Sequence, residues 1–280
     1  MGVTAFKIGD IVARRSYQAD VFFRIVRIRG NHALLRGIDV RLEADAPLDD
    51  LVLLSDEEVR RRRLEFIKHH HEHLRQILVR QAASGQEEQD FFELPGRVLH
   101  LDGDQEYLNL CLNSYQQLKI NCWGFMVPEM EQPQRVTELL AKYQPDILVL
   151  TGHDGLLKKN SDWKNLDSYR NSRYFIEAVK AARSWQQDKD ALVIFAGACQ
   201  SYYEALLQAG ANYASAPQRI LIHAFDPVLV VERVAYSPFQ MTVPVEEVIK
   251  ATISGVAGIG GLETRGKLRK GKPKTKNFFQ

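Results

Sequence analysis

Two apolar stretches of this chain end in residues that can do chemistry. "DILVLTGHDG", residues 146–155, closes on His153 and Gly155, and "ALVIFAGACQS", residues 191–201, closes on Gly197, Ala198, Cys199. Both read as buried strands, and in an open parallel sheet reactive groups gather at the carboxyl ends of the strands. A thiolate attacks a carbonyl carbon, and a nearby imidazole holds the thiol ionised or takes its proton. Cys199 is therefore the candidate nucleophile and His153 its partner. Gly197 and Ala198 are expected to leave room for a substrate, and a helix starting soon after Cys199 would add the positive end of its dipole. The amides of Cys199 and Gly155 are candidate oxyanion donors. For Cys111, on a helix, and Cys122, inside an apolar strand, core packing is the expected role.

Three other groups compete for attention. His223 in "RILIHAFDP", with Asp226 three residues on, is the runner-up base. "GACQS" resembles a G-x-C-x-G elbow with Ser201 at the last glycine, so a Cys, His, Asp order points to an amidotransferase-like or hydrolase-like site. Against this, a histidine following an apolar strand is ordinarily a hydrogen-bonded structural residue. In "KHHHEHLRQ", residues 68–76, His69 and His73 stand four apart on one helical face while His70 falls on the apolar stripe. The order H-E-x-x-H is missing and no third ligand is apparent, so a solvated helix face is expected, with no metal and no cofactor. "LHLDGDQ" puts Asp102 and Asp104 at another strand end, where helix capping by Asp104 and a turn role for Asp102 are open alternatives to a binding role.

The elements that must position these residues are legible in outline. Residues 1–54 alternate in short β-rich bursts separated by turn formers and read as a small SH3-like barrel. Arg14, Arg15, Arg24, Arg27, Arg29, Arg36 and Arg41 give it many cations, with Tyr17, Phe22 and Phe23 nearby; recruitment of protein is favoured over nucleic acid, because strand alternation turns some arginines outward as an ordinary polar face. Ser55 and Glu58 form a capping box, and Val59, Phe66, Ile67, Leu74, Ile77 and Leu78 recur at helical spacing, so residues 55–90 are a helical linker ending in the exposed connector "RQAASGQEEQD". From residue 91 to 262, strands alternate with helices expected over 105–118, 134–143, 173–185, 202–208 and from about 245, with "RILIHAF" as a further strand. This spacing implies an α/β domain with a mainly parallel sheet and helices on both faces. Residues 263–280, rich in Lys and Arg, are expected to be a mobile basic tail.

Composition bounds the function class. The chain has 280 residues, 45% of them hydrophobic, and a formal net charge of +2, which suits a globular protein and gives no general attraction to nucleic acid or membranes. The odd, widely spaced cysteines argue against a disulfide framework or a zinc ribbon. No stretch of about 18 apolar residues occurs, and a cytoplasmic location is expected.

Strands ending in His-Gly and Ala-Cys resemble those of the caspase, legumain, gingipain and clostripain superfamily of cysteine endopeptidases. More closely, "LTGHDG", "FAGACQSYYEALLQAGANYASAPQRILIHAFDPV" and "FKIGDIVARRSYQADVFFRI" resemble the YabG family of sporulation-specific proteases, over nearly the whole chain. The resemblance implies a caspase-like fold, Cys199 as nucleophile with His153, and processing of spore coat and other sporulation proteins in the mother cell. It also implies that the loop carrying Asp102 and Asp104 lines the pocket for the residue before the scissile bond, where carboxylates favour Arg or Lys. A non-catalytic coat assembly factor is the opposing class. One departure stands out: the superfamily has Gly directly after the His, whereas here Asp154 intervenes, so the N–H of Asp154 or of Gly155 can serve the oxyanion.

Overall fold

A computed structural model of the chain describes residues 6–84, 91–157 and 162–272. Five strands form the N-terminal sheet: β1 (Ile11–Arg14), β2 (Phe22–Arg29), β3 (His32–Gly37), β4 (Glu43–Pro47) and β5 (Leu51–Leu53). They pair antiparallel in the order β4-β3-β2-β1-β5. Their period-2 pattern buries Val12, Phe23, Ile25 and Leu35 inside. Helix α1 (Asp56–Ser84) follows. Its capping box forms as expected, with the Ser55 amide donating to Glu58 Oε2 at 2.8 Å and the Glu58 amide returning to Ser55 Oγ at 3.3 Å.

The second half runs β6 (Phe92–Leu94), β7 (Val98–Asp102), α2 (Gln105–Gln117), β8 (Cys122–Met126), α3 (Gln132–Tyr143) and β9 (Ile147–Thr151). It continues through α4 (Ser172–Trp185), β10 (Val193–Ala196), α5 (Tyr203–Ala209), β11 (Tyr213–Ser215) and α6 (Asp226–Ala235). Then come β12 (Thr242–Val243), α7 (Val245–Ala251), α8 (Gly255–Gly258), β13 (Ile259–Gly261), β14 (Thr264–Arg265) and β15 (Arg269–Gly271). The central sheet has six strands in the order β13-β11-β10-β9-β7-β8, all parallel except β13.

Alternation along these strands sorts the core into two layers. Leu148, Leu150 and Ile194 pack with Leu139, Phe175 and Leu206 of α3, α4 and α5. Ile147, Val149, Val193 and Phe195 face α2, α6 and α7, in one core with the buried residues of the N-terminal sheet. Chain order reverses at β7, which has β8 on one side and β9 on the other, so the crevice beyond the carboxyl ends of β7 and β9 is the switch point where such sheets bind ligands. Among the described residues, no helix is long and apolar enough to cross a membrane.

Two sequence expectations are corrected. "RILIHAF" is not a sheet strand: the place beside β11 is taken by β13, and the stretch instead wraps the Cys199 loop, with the Gln200 amide donating to the Ile220 carbonyl at 3.1 Å. Pro227 opens α6, which the sequence pattern had not separated from that strand. Within the basic tail, β14 pairs with β12 and β15 pairs with β6. The Lys267 amide donates to the Val234 carbonyl at 2.9 Å, and the Lys267 ammonium reaches the carbonyl of Asp190. Positive charge there is used locally; residues 273–280, and the connector over 85–90, lie outside the described residues.

Candidate active site

His153 and Cys199 both sit at the carboxyl edge of the sheet, directly past β9 and β10, and both are fully buried. What buries them is the β3–β4 hairpin loop, residues 38–42, which reaches from the N-terminal sheet into the crevice. The carbonyl of Arg41 accepts from the amides of Cys199 and Asp154, each at 3.2 Å. The two strand ends therefore converge on one peptide carbonyl. The Gly155 amide is occupied differently, donating to Asp154 Oδ1 at 2.8 Å. Glycine at 155 is required by close approach: a Cβ there would lie 2.4 Å from the Glu43 carbonyl oxygen of the same hairpin.

The Arg41 side chain passes into a closed pocket. Nη1 donates to Asp102 Oδ2 at 2.8 Å, Nη2 donates to the Ala224 carbonyl at 3.2 Å, and the guanidinium lies 4.8 Å from the centre of the Tyr107 ring. Burial works against the Asp102 carboxylate, but Arg41, His100 and the Asp104 amide outweigh it and hold its pKa down at about 2. Asp104 has another task. It caps α2, with Oδ1 accepting from the Glu106 and Tyr107 amides at 2.8 and 3.0 Å, and its Oδ2 lies 3.9 Å from His153 Nε2.

Cys199 Sγ accepts from the Ile222 amide at 3.2 Å. Burial pushes the thiol up to about 12, although backbone hydrogen bonds from Ile222 and Arg41 act in the opposite direction. The expected dipole contribution is absent from this geometry, because α5 starts only at Tyr203 and the Tyr202 amide is taken by Ser172 Oγ. Gly197 also differs from expectation. Its φ is +109° and its bare face meets Ser215 Oγ, 2.4 Å from where a Cβ would stand, so it serves the turn and the interior packing rather than substrate clearance.

Sequence reasoning missed Glu129. It lies just past β8, buried, and its Oε1 accepts from the His153 amide at 2.8 Å and stands 3.8 Å from His153 Nδ1. Burial opposes its charge, but His153 and Arg36 hold its pKa below the usual range. Both His153 ring nitrogens are buried without a hydrogen-bond partner, each facing a carboxylate. Gly103 and Gly152 make room for Glu129: a Cβ on either would come within 2.2 and 2.4 Å of its Oε1. The signal was available, since "FMVPE" is itself a strand end on the same edge. Tyr107 was also missed; its ring lies 5.5 Å from that of His153, and its hydroxyl is 2.8 Å from the Gly37 carbonyl and 3.0 Å from that of Val40.

Asp154, the departure from the His-Gly pattern, ties the His153 and Cys199 loops together. Oδ1 accepts from the Gly155 and Asn171 amides, and Oδ2 from the Ser172 and Ser201 hydroxyls. Ser201 Oγ in turn accepts from the Ala198 amide at 2.9 Å, next to Cys199. Asp154→Ala is expected to lower unfolding free energy by about 3 kcal/mol, because several buried donors lose their acceptor; urea denaturation measures this, and a change under about 0.5 kcal/mol would refute it. Burial pushes the Asp154 pKa up to about 6, against the hydrogen bonds it accepts. A raised acid binds its proton more tightly folded than unfolded, so its stabilisation is largest below about pH 4 and falls as pH rises through 6.

The remaining candidates are engaged in other contacts. The His223 ring stacks on Phe66 of α1 with centroids 4.9 Å apart, and its Nδ1 accepts from the Phe225 amide at 3.2 Å. Burial first, then the charges of His70, His73 and His69, push its pKa down to about 3. Asp226 is buried and accepts from the amides of His223, Ile253 and Ser254, so it braces this loop. His69, His73 and His223 line one groove of about 340 Å³, yet among the described residues no group of three or more His, Cys, Asp or Glu is placed to hold a metal. His70 is buried against Phe225, with ring centroids 4.2 Å apart.

Comparison with known proteins identifies the family of the chain. A family model described as YabG peptidase U57 matches residues 7–273. The chain is 44% identical over 288 residues to the sporulation-specific protease YabG of Bacillus subtilis (strain 168), with 97% of this chain and 99% of that one covered. A chain matched over nearly its whole length in both comparisons carries the family's activity along with its sequence: it belongs to the YabG peptidase family U57 and is a peptidase, a hydrolase acting on protein substrates.

Proposed function

We propose that this peptidase is a cysteine endopeptidase of caspase-like fold, fronted by an SH3-like barrel, that cuts sporulation proteins, among them those of the spore coat, after Arg or Lys in the mother-cell cytoplasm. One observation carries the mechanism: a single arginyl carbonyl accepts from the amides of both Cys199 and Asp154 while its side chain ends on Asp102. Two amides aimed at one carbonyl oxygen stabilise the charge that grows on it during attack. Cys199 supplies the sulfur, and His153 takes its proton and returns it to the leaving amine. Glu129 and Asp104, on opposite sides of the imidazole, fix its orientation. Asp102, buried at the end of β7, selects a cationic side chain by charge pairing.

The choice between bases is tested by kinetics on an arginyl peptide substrate. His153→Ala is expected to lower kcat by roughly 10³-fold or more, and His223→Ala by less than about tenfold, since the His223 ring is engaged with Phe66. The reverse ranking would transfer the role to His223 and revive the amidotransferase-like reading.

A further inference from the structure

The outer face of the N-terminal sheet carries charges that balance only when it docks. Arg24 and Arg36 stand directly opposite each other on β2 and β3, a like-charge pairing that disfavours the sheet unless acids relieve it. Glu43, opposite Arg36 on β4, relieves it in part, with Arg36 Nε donating to Glu43 Oε2 at 2.9 Å. Further counter-charges come from the other half of the chain: Glu106 of α2 meets Arg24 at 2.8 Å, and Glu129 Oε2 lies 3.7 Å from Arg36 Nη2. Arg36 Nη1 also donates to the carbonyl of Gly103 at 3.5 Å, one of the two glycines that make room for Glu129. From Arg36 the alternation of charge continues. Glu43 Oε1 stands 3.6 Å from Arg170 Nε, Arg170 pairs in turn with Asp45, and the Arg170 amide donates to the Gly155 carbonyl at 3.0 Å.

Glu129 is the pivot of this chain of charges. Its Oε1 accepts from the His153 amide and faces His153 Nδ1, while its Oε2 faces Arg36. A carboxylate engaged at both oxygens cannot turn about its last torsion without losing a partner, and a buried one is costly to keep ionised unless a cation stands near. Arg36 is such a cation. We propose that Arg36 is a positioning residue for peptide-bond cleavage, holding the Glu129 carboxylate against His153, so that the N-terminal sheet completes the active site of the other half. This inference rests on the cysteine endopeptidase reading, with His153 as the base. Without Arg36 the carboxylate loses one of its two anchors, and the imidazole it faces loses its orientation. Arg36 reaches the base only through Glu129, so its removal lowers kcat and leaves KM nearly unchanged.

The test is a double-mutant cycle on the full chain, with kcat and KM measured on an arginyl peptide amide. Arg36→Gln is expected to lower kcat by about 30-fold while KM changes less than about threefold. Arg36→Lys, which keeps the charge, should hold kcat within about fivefold of wild type. In a Glu129→Gln background, Arg36→Gln should cost less than about threefold more, because the group it acts through is already neutral. Thermal unfolding checks that each variant is folded, and Arg36→Met, which keeps the apolar stem, takes the place of Arg36→Gln if the latter is not. Where cleavage depends on Cys199, a kcat for Arg36→Gln within about twofold of wild type overturns the positioning role alone. A loss in Arg36→Lys as deep as in Arg36→Gln, or losses that multiply in the double variant, overturn it equally. A folded wild type that cuts no arginyl peptide, or full activity in Cys199→Ala, overturns the cysteine endopeptidase reading and this inference with it.

Discussion

Cys199→Ala is expected to reduce peptide-bond cleavage by on the order of 10⁴-fold or more, since in the proposed mechanism Cys199 forms the acyl intermediate. The remaining parts act on a nucleophile that is then missing: the paired amides still bind a carbonyl, and His153 still carries a proton, but neither forms a bond to carbon. The structural cost should be small. Cys199 is buried and its sulfur contacts the Ile222 backbone, so removing it leaves a cavity of about one atom, worth roughly 1–2 kcal/mol. Circular dichroism and thermal unfolding of the variant should therefore show a folded protein. Turnover within about tenfold of wild type would sink the assignment of Cys199 and leave the peptidase needing another nucleophile.

The second large effect is expected at Asp102. Asp102→Asn keeps the shape of the pocket but removes its charge, so kcat/KM for arginyl peptides should fall by roughly 10²-fold or more, in line with the strength of a charge-assisted, buried pair. Peptides with a small neutral residue before the cut should be affected far less. An unchanged preference for Arg would refute the pocket assignment. The same substitution strips the buried Arg41 of its counter-charge, an imbalance that costs about 3–5 kcal/mol in a dry site. Its pH signature follows from the depressed Asp102 pKa. The carboxylate's stabilisation is fully present above its unfolded value of 3.8 and is lost as pH falls toward 2. Acid titration of wild type and variant should therefore converge only as pH falls through about 2, where the wild type gives up what the variant never had.

These two residues differ in how far the sequence revealed them. Cys199 and His153 were legible because strand termini are local features: an apolar run, its end and the residue there lie within ten positions or so. Asp102 was legible as a strand-end carboxylate, yet the same reasoning placed Asp104 beside it as an equal, and only helix geometry identifies Asp104 as the cap. Glu129 obeys the same rule and was overlooked, since a glutamate after a proline reads as an ordinary turn residue. "RILIHAF" went wrong for a related reason. Its apolar alternation is genuine and Ile222 is buried, but burial there comes from wrapping the Cys199 loop rather than from joining the sheet.

Arg41 was read as one of seven cations on a small barrel. Nothing near it in the chain distinguishes it from Arg36, which pairs with Glu43 on the hairpin at 2.9 Å, or from Arg24, which meets Glu106 at 2.8 Å. The sequence by itself determined the alternation of strands and helices, the capped linker helix and the carboxyl-edge positions of His153, Asp102 and Cys199, because periodicity and chain direction are local properties. The tertiary structure alone decided that the two halves dock so that one hairpin loop enters the crevice, and that Asp154 links the loops on either side of it. Those contacts join residues far apart in the chain, such as Arg41 and Asp102 at a separation of 61. They arise from the shape and charge of two finished surfaces, which no short stretch of sequence encodes.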